Sequence, residues 1–190
     1  MSDSMLAPRL RRALWDAYGP RSFDLMALPS NAFCSPAGAR LPFFSRFPLP
    51  AAAGADVFAQ RPPSGRLYVF PPFALIPPLI KLFVKWGGVE VVVVLPVHEG
   101  RPAPWLALLR PFICDACELC PAGAIGALSV PSSSGFSPNM LPLSFGLVAY
   151  RCVFPAVALP PPPPPTPRRV LVVADSMLRP FERLSCPAPF

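Results

Sequence analysis

Apolar residues along the chain follow two different spacings, with proline-rich breaks between them. Near the start, Leu6, Leu10 and Leu14 recur at helical spacing with charged residues between them, which predicts an amphipathic helix. Gly19 and the proline after it end that helix. The apolar segment that follows, residues 21–27, predicts a short buried strand that ends in a loop.

Residues 67–112 show the clearest alternation of elements. Residues 67–70 predict a strand, and residues 74–86 predict a helix whose paired prolines fall near the first turn, where proline is tolerated. Residues 89–95 are almost all β-branched, which is typical of a buried parallel strand, and residues 104–109 start another helix. Strand, helix, strand and helix joined by short connections predict half of an α/β sheet.

The remaining segments lack this alternation. Residues 35–66 are rich in proline, alanine and glycine and are expected to form mostly loop. Residues 113–168 are expected to be a Pro/Ser-rich linker of low order, with a polyproline II spacer at residues 160–165. Residues 169–190 are expected to add one more strand before a proline-rich end.

Composition and charge narrow the picture only in a general way. The chain has 190 residues, of which 32 are proline and 14% are charged, so its length allows one ordinary domain with tails. The net charge of +7 comes almost wholly from arginines that are scattered singly, whereas a nucleic-acid surface concentrates its charge in a patch. Two interpretations stay open: weak attraction to nucleic acid, and an arginine-rich coding bias with little selection on the product.

The N-terminal segment and the longest apolar segment bear on cellular location. Charges interrupt residues 1–18 where a signal peptide would be apolar, so we expect an intracellular chain, cytoplasmic or nuclear, with six reduced cysteines. Residues 140–159 are the best candidate for a membrane span, but Pro142, Arg151 and Pro155 interrupt them. No membrane span is therefore predicted, although a small membrane-associated protein stays an alternative.

Several short segments within residues 6–110 follow one another in a distinctive order: residues 23–27 with Asn31, 43–45, 55–58, 68–76, 92–96 and 105–109. In this order they resemble part of the polyprotein of tyrosine-recombinase retrotransposons of the DIRS and Ngaro type. That part lies just downstream of the reverse transcriptase and ribonuclease H domains. The resemblance therefore implies an origin in a mobile element and a link with reverse transcription and nucleic-acid handling.

The same segments are similar to a phage-type DNA adenine methyltransferase, which implies a partial Rossmann-like sheet. Asp24 and Asn31 match the early strand end of that family, and the resemblance places Asp24 near the cofactor pocket. Phe70-Pro71-Pro72-Phe73 occupies the place of the catalytic Asn/Asp-Pro-Pro-Tyr/Phe motif. The first residue of that motif accepts hydrogen bonds from the flipped adenine, and the last one stacks on the base. Phe70 offers no acceptor, and no glycine-rich loop follows Asp24, so the resemblance implies a degenerate motif without cofactor or catalysis, although Phe73 could still stack.

Near the C-terminus, residues 170–179 look like the first block of an SGNH/GDSL esterase, a domain that some Ngaro-type elements contain. In that block the serine after a buried strand is the nucleophile, which makes Asp175 and Ser176 the matching positions. A nucleophilic serine needs a histidine base, but His98 is the only histidine and precedes it. The block is therefore expected to be truncated and inactive.

Three cysteines with a spacing similar to that of iron–sulfur proteins, Cys114, Cys117 and Cys120, are the candidate metal ligands. A cluster or a zinc site needs a fourth ligand, and the sequence offers Cys34, Cys152, Cys186 and His98. Fortuitous reduced thiols explain the same pattern, so no metal is predicted.

Together these patterns predict an α/β protein with a degenerate methyltransferase-like half-domain at residues 5–112, a linker and a largely disordered proline-rich C-terminal tail. The predicted function is that of a non-catalytic remnant of a retrotransposon polyprotein, with nucleic acid as its expected partner and no small-molecule substrate. Two alternatives stay open: a membrane-associated protein that uses residues 140–159, and a spurious open reading frame without a stable fold.

Overall fold

The computed structural model describes residues 4–100, 103–133 and 135–156, which form three helices and ten strands. The helices are α1 (Pro8–Tyr18), α2 (Ile76–Trp86) and α3 (Leu106–Leu109). Single 3-10 turns lie at Val57–Ala59, Phe73–Leu75 and Arg110–Phe112. The strands are β1 (Met5–Leu6), β2 (Phe23–Asp24), β3 (Phe44–Ser45), β4 (Gly54–Ala55), β5 (Arg66–Val69), β6 (Val89–Val97), β7 (Ile113–Cys120), β8 (Leu128–Ser132), β9 (Gly135–Pro138) and β10 (Gly146–Phe154).

The main sheet contains five strands in the order β2-β5-β6-β10-β7. β2, β5 and β6 are parallel, whereas β10 runs antiparallel to both β6 and β7. A parallel bridge between Asp24 and Phe43 places β3 on the other side of β2, and β4 pairs parallel with β3. These described strands therefore lie in the order β4-β3-β2-β5-β6-β10-β7. Along the chain, β3 and β4 are added on one side of β2, and β5 and β6 are then added on its other side.

The helices α1 and α2 cover opposite faces of this sheet. Alternate side chains of β5 and β6 point to opposite faces, so each helix packs against its own set of them. The α2-side core contains Leu67, Val69, Val91, Val93 and Leu95 of the sheet with Leu79, Ile80 and Phe83 of α2. The α1-side core contains Tyr68, Val92 and Val94 of the sheet with Leu10, Leu14 and Tyr18 of α1. Burial on both sides explains why β6 has an almost unbroken β-branched sequence.

The predictions for the first part of the chain are confirmed. α1 covers the amphipathic segment and ends at Gly19, whose φ of 72° favours glycine. β5, α2 and β6 reproduce the predicted strand, helix and strand, and the two strands pair in parallel. β2 is shorter than the strand predicted at residues 21–27, and α3 covers only the end of the helix predicted at residues 104–109.

The expected low-order linker at residues 113–168 is wrong for its described part, which contains β7, β8, β9 and β10. β10 lies between β6 and β7 and pairs with β6 along its whole length, from Gly146 opposite Val97 to Phe154 opposite Val89. The sheet therefore does not end at residue 112 but is completed by two later strands. The sequence gives little sign of β7, which is rich in polar residues. β10 lies in an apolar segment, but its partner β6 is far away in the chain, so no local pattern shows that it belongs to the sheet.

The candidate membrane segment, residues 140–159, contains β10, and most of the apolar side chains of β10 pack against the cores on the two faces of the sheet. No helix in the described part of the chain has both the length and the apolar character needed to cross a membrane. The spacer at residues 160–165, the strand expected at residues 169–173, Asp175 and Ser176 lie outside the described residues.

The central position of β6 gives a direct test of whether the chain folds. We expect the amides of Val91–Val94 to exchange with solvent at least about 5,000-fold more slowly than in an unfolded chain, because they open only when the whole domain unfolds. Hydrogen exchange with peptide mapping measures this, and the exposed loop at residues 46–51 serves as the fast-exchanging internal reference. Fast exchange in both peptides would instead support the spurious open reading frame.

Candidate functional site

A small cavity lies where β2 and β5 end, at the point where the strand order reverses. In doubly wound α/β sheets ligands bind at such a point, outside the carboxyl ends of the strands. The cavity has a volume of about 20 Å³. Its lining residues come from the N-terminal segment, α1, the loop after β2 and the end of β5: Ser4, Met5, Leu6, Arg11, Asp24, Met26, Asn31, Phe33, Tyr68 and Phe70. Three residues singled out in the sequence, Asp24, Asn31 and Phe70, therefore come together.

Asp24 and Asn31 both hold the loop after β2 in place. Asp24 is buried, and its Oδ1 accepts a hydrogen bond from the Met26 N–H at 3.1 Å while its Oδ2 accepts one from the Phe33 N–H at 3.0 Å. Burial raises the pKa of Asp24 from 3.8 to about 6, although both hydrogen bonds favour the charged form. Asn31 Oδ1 accepts a hydrogen bond from the Leu28 N–H at 2.6 Å and closes a turn. Both side chains thus serve backbone groups that would otherwise be unpaired.

Two further polar residues of the cavity, Arg11 and Tyr68, were not expected there. The Tyr68 ring is buried and packs on Phe33 with 4.5 Å between ring centroids. Burial and the nearby Asp24 carboxylate raise the pKa of Tyr68, and the Arg11 guanidinium opposes this. Arg11 Nε is buried and has no hydrogen-bond partner among the described residues. The cavity therefore combines a carboxyl group, a phenol and a guanidinium.

The sequence does contain a signal for Arg11. It lies four residues after Ala7 and three before Leu14, so it shares the buried face of α1 although its type suggests solvent. Tyr68 offers no comparable signal, because a tyrosine inside an apolar strand is usually just part of the core.

The four residues of the degenerate motif, residues 70–73, do not all lie in the same surroundings. Phe70 lines the cavity and supplies only apolar surface. Pro71 is buried, and Pro72 precedes the 3-10 turn that leads into α2. Phe73 does not line the cavity but packs edge-on against Phe145, with ring centroids 5.2 Å apart. Of the motif, only its first residue therefore reaches the cavity.

His98 lies in the same neighbourhood as Phe73 but is exposed. Its ring is 5.9 Å from the Phe145 ring, and it is not among the residues that line the cavity. A general base must come within hydrogen-bond reach of its proton donor. His98 makes an aromatic contact at the end of β6 instead.

The size of the cavity limits what it can hold. About 20 Å³ is enough for one water molecule, since a water site needs roughly 10–15 Å³ by this measure. The enclosed space is therefore that of a water site.

The three cysteines at iron–sulfur-like spacing all lie on β7, where they do not converge. Cys117 and Cys120 pack on the α1-side core, and Cys114 is exposed. In a strand, residues three apart point to opposite faces unless a bulge intervenes. Within the described part of the chain, no three His, Cys, Asp or Glu residues are placed to hold a metal ion.

One of the arginines, Arg21, is buried and has a structural role, so not all of the basic charge lies on the surface. Arg21 donates hydrogen bonds to the carbonyl oxygens of Tyr18 and Gly19 at the end of α1, and its Nη1 lies 3.4 Å from Glu90 Oε1. Burial lowers the pKa of Arg21, and Glu90 opposes the shift. Cationic groups at a helix C-terminus satisfy its free carbonyls. Arg21 is therefore not part of a basic surface.

No protein-family model matches this chain, and no curated protein is significantly similar to it.

Proposed function

We propose that this chain contains a non-catalytic, methyltransferase-like domain that derives from a retrotransposon polyprotein. The observation that supports the proposal most directly is the meeting of Asp24, Asn31 and Phe70 at one cavity. The resemblance places Asp24 near the cofactor pocket and Phe70 at the adenine-binding motif, and Asn31 matches the family pattern between them. The enclosed space of the cavity is that of a water site, which supports the loss of cofactor binding.

The strand order supports the proposed Rossmann-like architecture. In doubly wound folds the first three strands run outward in one direction, and the fourth and fifth are added on the other side of the first. β2, β3 and β4 follow the outward order, and β5 and β6 then add on the other side of β2. The antiparallel β10 is compatible with this proposal, because many such sheets include an antiparallel strand.

The chemistry of the cavity supports the absence of activity. An adenine amino group needs an acceptor, and Phe70 replaces the residue that would supply it. Asp24, which the resemblance places near the cofactor pocket, accepts hydrogen bonds from two backbone amides of the loop after β2 and so serves that loop.

We expect the purified chain neither to bind S-adenosylmethionine nor to transfer its methyl group to adenine-containing DNA. Isothermal titration calorimetry measures the first, and incorporation of a labelled methyl group measures the second. Transfer that disappears in Phe73→Ala but persists in Phe58→Ala, which changes an exposed phenylalanine outside the motif, would contradict the proposal.

The proposed origin and setting have their own test. A remnant of this kind would have worked beside a reverse transcriptase, in the cytoplasm or nucleus, and its ancestral partner would be nucleic acid. Reverse-transcriptase coding sequence directly upstream of the codon for Met1 is the expected genomic context. An upstream region without any trace of such a sequence would count against this origin while leaving the absence of catalysis unaffected.

A further inference from the structure

Two cysteines lie at the same point of the strand pair formed by β7 and β10. Arg151 of β10 is opposite Asp115, but the next residue, Cys152, is opposite Ile113. Cys114 is therefore the extra residue of a β-bulge. In a bulge two residues of one strand oppose a single residue of the other, so Ile113 and Cys114 together oppose Cys152.

This register brings the two cysteines within reach of a disulfide. Residues opposite each other in antiparallel strands have Cα atoms about 4.5–5.5 Å apart, and disulfides span Cα separations of about 4.4–6.8 Å. The side chains of Ile113 and Cys152 both contact the α2-side core. Because the bulge interrupts strict alternation, Cys114 need not point to the opposite face from Ile113.

We propose that Cys114 and Cys152 form a reversible disulfide that fastens the outer strand β7 to β10. The pair is selective among the described cysteines, because Cys117 and Cys120 belong to the α1-side core and Cys34 lies in the loop after β2. The proposal does not depend on the proposed function, since it concerns another part of the sheet.

The different exposure of the two thiols sets the order of the reaction. Cys114 is exposed, whereas Cys152 is fully buried. With oxidised glutathione as the oxidant, the Cys114 thiolate attacks one glutathione sulfur and releases one reduced glutathione. The Cys152 thiol then loses its proton and attacks the Cys114 sulfur of the mixed disulfide, which releases the second glutathione. Two protein thiols are oxidised and one glutathione disulfide is reduced to two thiols.

The second step is expected to be slow. Burial and the neighbouring Cys114 raise the pKa of Cys152 to about 12, so very little of it is thiolate near neutral pH. β7 pairs on only one side among the described strands, so local opening of this outer strand can expose Cys152. The mixed disulfide at Cys114 should therefore accumulate first and then decline as the internal disulfide forms.

Peptide mapping of the full chain, equilibrated with oxidised and reduced glutathione, tests the proposal. We expect a disulfide-linked peptide pair containing Cys114 and Cys152, and a melting temperature several degrees above that of the reduced chain. Both should disappear in Cys114→Ser, which changes an exposed residue, and both should persist in Cys117→Ser. A Cys152→Ser variant is not needed for this test, because the peptide map of the wild type identifies the linked cysteines directly.

Other products would overturn the proposal. They are a stable mixed disulfide at Cys114, a link from Cys114 to Cys117, Cys120 or Cys186, or a link between two copies of the chain. An internal disulfide that leaves the melting temperature unchanged would refute the claim that it fastens β7.

Discussion

Raising the pH from about 4 to about 7 should lower the folding stability of this protein by about 2 kcal/mol through Asp24 alone. The pKa of Asp24 in the folded chain is about 6, compared with an ordinary value of 3.8. Between these two values the folded state binds a proton that the unfolded state has released, so each rise in pH favours unfolding. The contribution of Asp24 to stability reaches its full value below the unfolded pKa of 3.8 and is lost as the pH rises through about 6.

Asp24→Asn isolates this contribution, because an amide of the same shape cannot ionise. Urea unfolding of the wild type and the variant at several pH values gives the two free energies of unfolding. Their difference should change by about 2 kcal/mol between pH 4 and pH 7. A constant offset is also expected, since the amide has one acceptor oxygen for two backbone N–H donors. The change with pH, not the offset, is the diagnostic quantity.

Asp56→Asn is the matched control. Asp56 also accepts a hydrogen bond from the N–H two residues later, Phe58, at 3.1 Å, but it is exposed. Its substitution controls for the exchange of a carboxylate for an amide at an exposed position. If the difference between the wild type and Asp24→Asn were constant from pH 4 to pH 7, the Asp24 carboxyl group could not be buried as the structure has it.

The part of the fold that could be predicted is the part in which local pattern and tertiary context agree. β5, α2 and β6 follow one another with short connections, and each has the periodicity of its own element. β3 and β4 could not be predicted, because strands of two residues are too short to show any period. Their place in the sheet depends on the bridge from Phe43 to Asp24 and on the pairing of β4 with β3, which no local pattern encodes.

The candidate site was partly predictable for a different reason. Asp24, Asn31 and Phe70 come from a resemblance over ordered segments, and the ends of neighbouring parallel strands bring such residues together. Phe73 belongs to the same motif as Phe70, but its ring packs against Phe145, which lies in the segment expected to be a linker. Two features of the cavity were not predictable: the presence of Arg11 in its lining, and the two hydrogen bonds that Asp24 accepts from the backbone.

Replacing Phe154 by alanine should remove about 3–5 kcal/mol of folding free energy, a large share of the stability of a domain of this size. Phe154 is 1% exposed and is the last residue of β10. Its ring centroid lies 4.4 Å from that of Phe112 and 5.4 Å from that of Phe83, so the truncation leaves a cavity between β10, α2 and the turn before β7. A residue of a low-order linker or of a membrane segment would have no such effect.

The neighbouring residue provides the control. Val153 precedes Phe154 on the same strand but is 42% exposed, so Val153→Ala should cost less than about 1 kcal/mol. Urea unfolding followed by tryptophan fluorescence measures both variants, because Trp86 packs against the α2-side core. If Phe154→Ala is too unstable to study, Phe154→Leu takes its place, because leucine removes less volume. Its free energy of unfolding should lie between that of Val153→Ala and that expected for Phe154→Ala. Equal stabilities of the Phe154 and Val153 variants would mean that β10 is not part of the sheet, and the order β6-β10-β7 would then be wrong.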